Sequence, residues 1–250
     1  MGHTNGHAGE SADLRGWQTH LLGGCLQDDD LKALLACARL VQVGARRCLL
    51  RAEDDRVLLL LSGSAKASIV TPDGDEVITE IVGPGHAAGL VVVLGHADMG
   101  KEITSLKPVD ALSISGRDLR HLVETRSGIT SACLQTVADQ HAIANAERSR
   151  FAGTCISQRV AHRILELAMR WGQPEGHAIR ITLPLTQEEL AAWSGASRES
   201  VAKVLQNMRA NGLIATGRRS LRVLDASRLR ERCAPPAGDS ELRSLLATGS

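Results

Sequence analysis

Arg198, Glu199 and Lys203 are the side chains of this chain whose types and spacing best suit recognition chemistry. An arginine can donate two parallel hydrogen bonds to O6 and N7 of guanine, a glutamate can accept from the N4 amine of cytosine, and a lysine one turn further on reaches a base acceptor or a phosphate. A surface that merely attracts phosphate gains nothing from a glutamate beside its arginine. The pair therefore points to reading base edges, which requires both groups to project from one face of a helix lying in the major groove.

The flanking residues can supply such a helix. Thr186 and Glu189 form a capping box at the start of a short helix whose buried side is Leu190, Ala191 and Trp193. Gly195 stops that helix, and Ser197 caps a second one in which Val201, Val204, Leu205 and Met208 recur at the spacing of one buried face. Two short helices about a tight turn read as a helix-turn-helix, although an amphipathic helix pair in some other helical domain would share the pattern. The residues beyond the second helix weigh against that alternative. Gly212–Ile214 and Leu221–Leu224 read as strands flanking the basic turn Thr216-Gly-Arg-Arg-Ser220, a hairpin with a cationic tip that completes a wing. Residues 155–230 carry 12 Lys and Arg against 6 Asp and Glu, whereas the remainder carries 17 against 22. The near-neutral total thus hides a basic module in an acidic chain, the footprint expected of phosphate binding.

At 250 residues and 43% apolar content, the chain has room for two modest cores. No apolar run reaches the roughly 20 residues of a membrane span, and the first residues lack the basic-then-apolar order of a signal peptide, so a soluble cytoplasmic protein is expected. One Phe, three Trp and no Tyr leave little aromatic surface for stacking on single strands, which favours duplex as the partner. Cys25, Cys37, Cys48, Cys133, Cys155 and Cys233 show no C-x-x-C spacing. Several sit in apolar surroundings and read as buried, reduced thiols, with no zinc or iron–sulfur site implied.

Residues 1–12, rich in Gly, His and Ser, read as a disordered arm. Asp28–Asp30 precede a short apolar helix, and from Leu40 to Ile114 short strands alternate with turns such as Pro72-Asp-Gly-Asp75, the pattern of an all-β roll. Helical periodicity then takes over at Arg117–Thr125 and in a long run, Ile129–Phe151, whose Leu134, Val137, His141, Ala144, Arg148 and Phe151 form a heptad-like seam suited to pairing with a second copy. Gly153 interrupts, Ile156–Trp171 forms another helix, and residues 231–250 read as a tail.

In this order the elements resemble the CRP/FNR family of bacterial transcription regulators over about residues 14–230. The motif Gly195-Ala-Ser-Arg-Glu-Ser-Val-Ala-Lys203 is similar to the G-x-S-R-E-T-V-x-R of the CRP branch, and Thr71-Pro-Asp-Gly74 and Gly83-Pro-Gly-His86 are turns of the family's kind. The resemblance implies an α+β architecture: a sensor domain over 13–125 built as an antiparallel, cyclic-nucleotide-binding-like β-roll, a dimerisation helix over 126–152, and a winged helix-turn-helix over 153–230. It implies no catalytic residues and three partners, namely duplex DNA with a TGTGA-like inverted repeat, a second copy of the chain, and RNA polymerase. Arg198, Glu199 and Lys203 then take the base-reading roles, and Ser197, Ser200, Arg218 and Arg219 hold phosphates. The family's T-x-Q-E becomes Thr186-Gln187-Glu188-Glu189: the resemblance implies backbone contacts at Thr186 and Gln187, but the family's Gln position itself holds Glu188 and Gln187 stands one place earlier, a departure that bears on one of those contacts.

The sensor departs from the family pattern. Family members offer a nucleotide phosphate an Arg followed by Ser or Thr, and the ribose a Glu. Alignment on Gly85-His-Ala-Ala-Gly89 puts Leu90 in place of the Glu, and Met99 and Gly100 in place of the Arg and Ser. Without that charge-assisted pair tight cyclic AMP binding is not expected, and Lys101 is left as a point charge for weak binding at a pocket of Gly89, Leu90, Met99, Gly100 and Lys101. The alternatives are a regulator modulated by weak nucleotide binding or thiol redox chemistry and, below that, a cupin-like metal enzyme using His86 and His96.

Overall fold

A computed structural model of the chain describes residues 26–95, 100–217 and 220–233. The expected N-terminal arm, Cys25, His96, Met99, Arg218, Arg219 and the tail after Cys233 lie outside them. Packing divides the chain between Ala146 and Glu147 into two units.

The first unit runs α1 (Asp28–Cys37), β1 (Arg39–Val43), β2 (Cys48–Leu50), β3 (Arg56–Ser62), β4 (Ala65–Val70), β5 (Glu76–Val82), β6 (Ala87–Ala88), α2 (Leu90–Val93), β7 (Glu102–Ser105), β8 (Val109–Ser115), α3 (Gly116–Thr125) and most of α4 (Ser127–Phe151). Its strands form two antiparallel sheets, ordered β1-β8-β3-β6 and β2-β7-β4-β5. Val57–Leu61 of β3 is an unbroken apolar run because both of its faces are covered. Leu58 and Leu60 pack with Leu49, Val82 and Ile103 of the second sheet, and Val57, Leu59 and Leu61 pack with Leu34, Leu119, Leu122 and Ile129 of the helices. Ser115 caps α3, its Oγ accepting from Asp118 N at 3.1 Å, and Arg120 makes two 2.8 Å bonds to the carboxylate of Asp55.

α4 lies with Ile129, Ala132, Cys133 and Thr136 inward, and Gln140 Nε2 donates to Ala87 O at 3.1 Å. That removes Val137 from the heptad-like seam. Val137 packs partly against its own unit's core, so the outward row is Leu134, Ala138, His141 and Asn145. Counting apolar positions selected the seam without allowing for the side of the helix that the β-roll already covers.

The second unit comprises α5 (Ile156–Trp171), β9 (Gly172–Glu175), β10 (Ala178–Ile181), α6 (Gln187–Ser194), α7 (Arg198–Ala210), β11 (Ile214–Gly217), β12 (Ser220–Val223) and α8 (Ala226–Glu231). The wing strands β11 and β12 join β10 and β9 in one antiparallel sheet, in the order β11-β12-β10-β9. Its core gathers Val160, Ile164 and Leu167 of α5, Leu190 and Trp193 of α6, and Val201, Leu205 and Met208 of α7. The β9–β10 hairpin was not expected from the sequence. Gly172-Gln-Pro-Glu175 has no β-branched residue, and Pro174 is tolerated because β9 is an edge strand.

Candidate nucleic-acid interface

Two caps set the orientation of the helix pair. Thr186 N donates to Glu189 Oε2 at 2.9 Å and Glu189 N to Thr186 Oγ1 at 3.0 Å, so each residue satisfies a free donor of the other at the start of α6. The helix ends at Gly195, whose φ of 58° lies in the left-handed region that glycine occupies without strain. Ser200 N donates to Ser197 Oγ at 3.2 Å, which opens α7. Trp193, 2% exposed, anchors α6 in the core, while Val201, Leu205 and Met208 turn one face of α7 inward.

The opposite face of α7 is left to solvent. Arg198, Glu199 and Lys203 are exposed, within its first two turns, and none of them forms an ion pair with another described residue. Three uncommitted polar side chains at the start of a helix can exchange water for base edges without first breaking an internal bond. Ser197 and Gln187 are exposed too, and Ser200 half-exposed. Thr186 is exposed, but its hydroxyl also donates to Glu189 Oε2 at 3.2 Å, which places it chiefly in the cap. Arg209 Nη1 donates to Thr216 Oγ1 at 3.0 Å, tying the end of α7 to wing strand β11.

Sequence reasoning missed Arg159. A Cβ placed on Gly195 would sit 3.5 Å from its Nη1, so this α5 arginine reaches the turn between α6 and α7. Only tertiary packing brings the two together, and no spacing in the chain announces it.

In the first unit the expected pocket residues are arranged differently. Gly89 has a φ of 82°, and a Cβ there would fall 2.5 Å from Arg56 O, so glycine is required where β6 passes into α2. Leu90, 1% exposed, belongs to the core cluster with Leu112, Ile114 and Leu119. Gly100 is exposed and Lys101 half-exposed. Among the described residues no three His, Cys, Asp or Glu side chains gather as a metal site requires. His86 instead faces Glu80, Nδ1 to Oε1 3.6 Å.

The thiols divide by surroundings. Cys133 is buried, and burial pushes its thiol up to about 11. Cys48 and Cys155 are exposed; strand and helix ends place them at the surface, and residue type alone gives no hint of that. Cys155 is the N-cap of α5, and its thiol is held below the usual value, first by the Ser157 hydroxyl at 3.0 Å from Sγ.

Residues 158–232 match the sequence model of the Crp-like helix-turn-helix domain, and residues 41–126 that of the cyclic nucleotide-binding domain. The chain is 33% identical to a CRP-like cAMP-activated global transcriptional regulator of Mycobacterium tuberculosis, over 71% of this chain and 80% of that protein. It is 24% identical to a cyclic AMP receptor protein of Thermus thermophilus over 69% and 77% of the two chains. In fold it is similar to CLP, described as a c-di-GMP responsive global regulator of Xanthomonas campestris, with a TM-score of 0.70, 17% identity, and 80% of this chain and all of that one covered.

Proposed function

The chain belongs to the CRP/FNR family of transcription regulators, and from that premise we propose that it works as a homodimer on a TGTGA-like inverted repeat, with a sensor that has lost the side chains that anchor cyclic AMP. The observation carrying the DNA half of this reading is the exposed row Arg198, Glu199 and Lys203 at the start of α7, without an ion pair among the described residues. Arg198 reads a guanine through O6 and N7, Glu199 accepts from a cytosine N4, and Lys203 supplies the second base-side cation. Ser197, Ser200, Gln187 and the wing arginines Arg218 and Arg219 hold the phosphates on either side, with Thr186 setting the helix that carries Gln187.

Dimerisation puts two recognition helices on successive turns of one face of the duplex, and the outward row of α4, Leu134 to Asn145, is the surface that would pair. RNA polymerase is the third partner, since occupancy of such a repeat changes its access to a promoter.

The sensor half rests on Leu90. A side chain packed among Leu112, Ile114 and Leu119 offers a ribose nothing, and Met99 and Gly100 lack the charge-assisted donors that a cyclic phosphate needs once desolvated. Lys101 remains as a weak point charge. DNA binding is therefore proposed to need no cyclic AMP.

A titration of the purified protein on a TGTGA-type palindrome, with and without cyclic AMP and with and without oxidant, tests both halves. The reading expects binding to the palindrome well above that to scrambled duplex, with little change on adding the nucleotide. Equal binding to both duplexes would end the first half, and strong cyclic AMP activation would end the second.

A further inference from the structure

The break between α4 and α5 is where the sequence would put a flexible joint. Gly153 sits in it with a φ of 78°, and only residues 152–155 separate the last residue of one helix from the first of the next. Yet the packing boundary falls elsewhere, between Ala146 and Glu147, inside the continuous helix α4. Arg163 of α5 accounts for this.

Its side chain is 4% exposed and spans the break. Nη1 lies 2.8 Å from Glu147 Oε1, on α4, and 3.0 Å from Glu166 Oε2, on its own helix, and Nε donates to Trp193 O of α6 at 3.2 Å. The guanidinium also stacks on two rings, with its carbon 4.5 Å from the centroid of Phe151 of α4 and 4.2 Å from that of Trp193 of α6. Glu166 is held in turn by Arg170 at 3.2 Å. The edges of one planar cation are thus taken by carboxylates and a carbonyl while its π-system meets two rings, a set of contacts that a lysine cannot reproduce. The backbone of the break is bonded as well, Ala152 N to Arg148 O at 3.0 Å and Thr154 N to Phe151 O at 3.2 Å. Residues 141–146 of α4, by contrast, are exposed at every position.

We propose that Arg163 is a positioning residue for DNA recognition: it clamps the end of α4 to α5 and α6, so that Glu147–Phe151 and the helix-turn-helix form one body and the chain does not yield at Gly153. This rests on the proposed dimer, because the clamp matters when two copies must be held at a fixed separation. With both clamps closed, the two recognition helices are spaced by α4 itself. Half-sites moved out of register by a few base pairs, against the roughly 10 of a helical turn, are then rejected.

The test measures binding of the full chain to one half-site, to the palindrome, and to palindromes whose spacer is lengthened by two and by five base pairs. Wild type should prefer the native spacing by about tenfold or more, a difference of about 1.4 kcal/mol. Arg163→Met should reduce that preference to below about threefold, and Arg163→Lys should rescue it poorly. Should Arg163→Met not fold, Glu147→Gln and Phe151→Ala open the clamp from the α4 side, leaving the α5–α6 contacts in place. They should lower spacing preference while half-site affinity stays unchanged. A uniform loss on every duplex, or an unchanged spacing preference in all of these variants, overturns the proposal. If wild type itself shows no spacing preference, the dimer reading has failed, and the clamp is judged separately by hydrogen exchange. Amides of Ala152 and Thr154 should then exchange about tenfold faster in Glu147→Gln than in wild type, and equal rates would reject the clamp.

Discussion

The helix-turn-helix unit and the β-roll unit each carry a short helix start, at α7 and at α2, and they treat it in opposite ways. At α7, Ser197 caps and the following Arg198, Glu199 and Lys203 stay in solvent, without an ion pair among the described residues. At α2, Gly89 turns the chain and the following Leu90 joins the core. The contrast shows how unequal the two kinds of recognition are in what they tolerate. A polymer with many phosphates is met by an exposed surface, where losing one contact still leaves binding. A single small anion enclosed in a roll depends on one matched charge, and without it the position is free to become hydrocarbon.

Leu90→Glu attacks that contrast most directly. If the sensor pocket survived and lacked only its ribose partner, the glutamate would be tolerated and cyclic AMP affinity would rise. Because Leu90 is 1% exposed in an apolar cluster, the expected outcome is instead a loss of about 3–5 kcal/mol of stability, read as a lower urea midpoint, with no nucleotide binding gained. A stable variant that binds cyclic AMP would refute the hydrocarbon-filled reading.

Arg198→Ala probes the other side. It should cost about 1–3 kcal/mol on the palindrome and relax selection at one guanine, leaving the melting temperature unchanged because the side chain is exposed and without an ion pair among the described residues. Thr186→Ala should act in the reverse sense. It removes a cap, so stability falls by about 1 kcal/mol, and base selection is kept while affinity for all duplexes drops slightly. A base-specific defect from Thr186→Ala, or a thermal one from Arg198→Ala, would blur the division between reading and holding.

How much of the molecule was legible in the chain depends on the range of the forces involved. Caps and stops act over three or four residues, so Thr186, Glu189, Gly195 and Ser197 announced both helices of the helix-turn-helix, and the unbroken Val57–Leu61 run fits a strand covered on both faces. Leu90 departs by residue type from the glutamate that the resemblance leads one to expect there. Its place in the core was not legible, nor was the outward row of α4, since both depend on what packs against them. Arg163 was hidden for the same reason: one arginine in an amphipathic helix reads as a surface cation, and the rings and carboxylates that enclose it come from three separate helices.

The smallest effect concerns three thiols, two in the β-roll unit and one in the helix-turn-helix unit. Alkylation goes through the thiolate, so its rate depends on the ionised fraction and access together. Cys155 is exposed with its thiol held below the usual value by the Ser157 hydroxyl, whereas Cys133 is buried with a thiol near 11. Cys48, exposed, is shifted up, first by desolvation and then by Glu102. At pH 8 only about one Cys133 in a thousand is ionised, even before access is counted. Iodoacetamide treatment and peptide mass mapping should therefore show Cys155 labelled first, Cys48 later and Cys133 only on unfolding. Raising the pH should narrow the gap between Cys155 and Cys48, because Cys155 approaches full ionisation first. For Cys133 the sign runs through stability. Its raised folded value means that the unfolded chain loses the proton first, so alkaline pH from about 9 to 11 favours unfolding and exposes this thiol, while the fold keeps this contribution in full at lower pH. Labelling of Cys133 at neutral pH at the rate of Cys155 would mean that α4 does not stay packed on the β-roll, and the comparison between an open reading surface and a closed sensor core would fail at that helix.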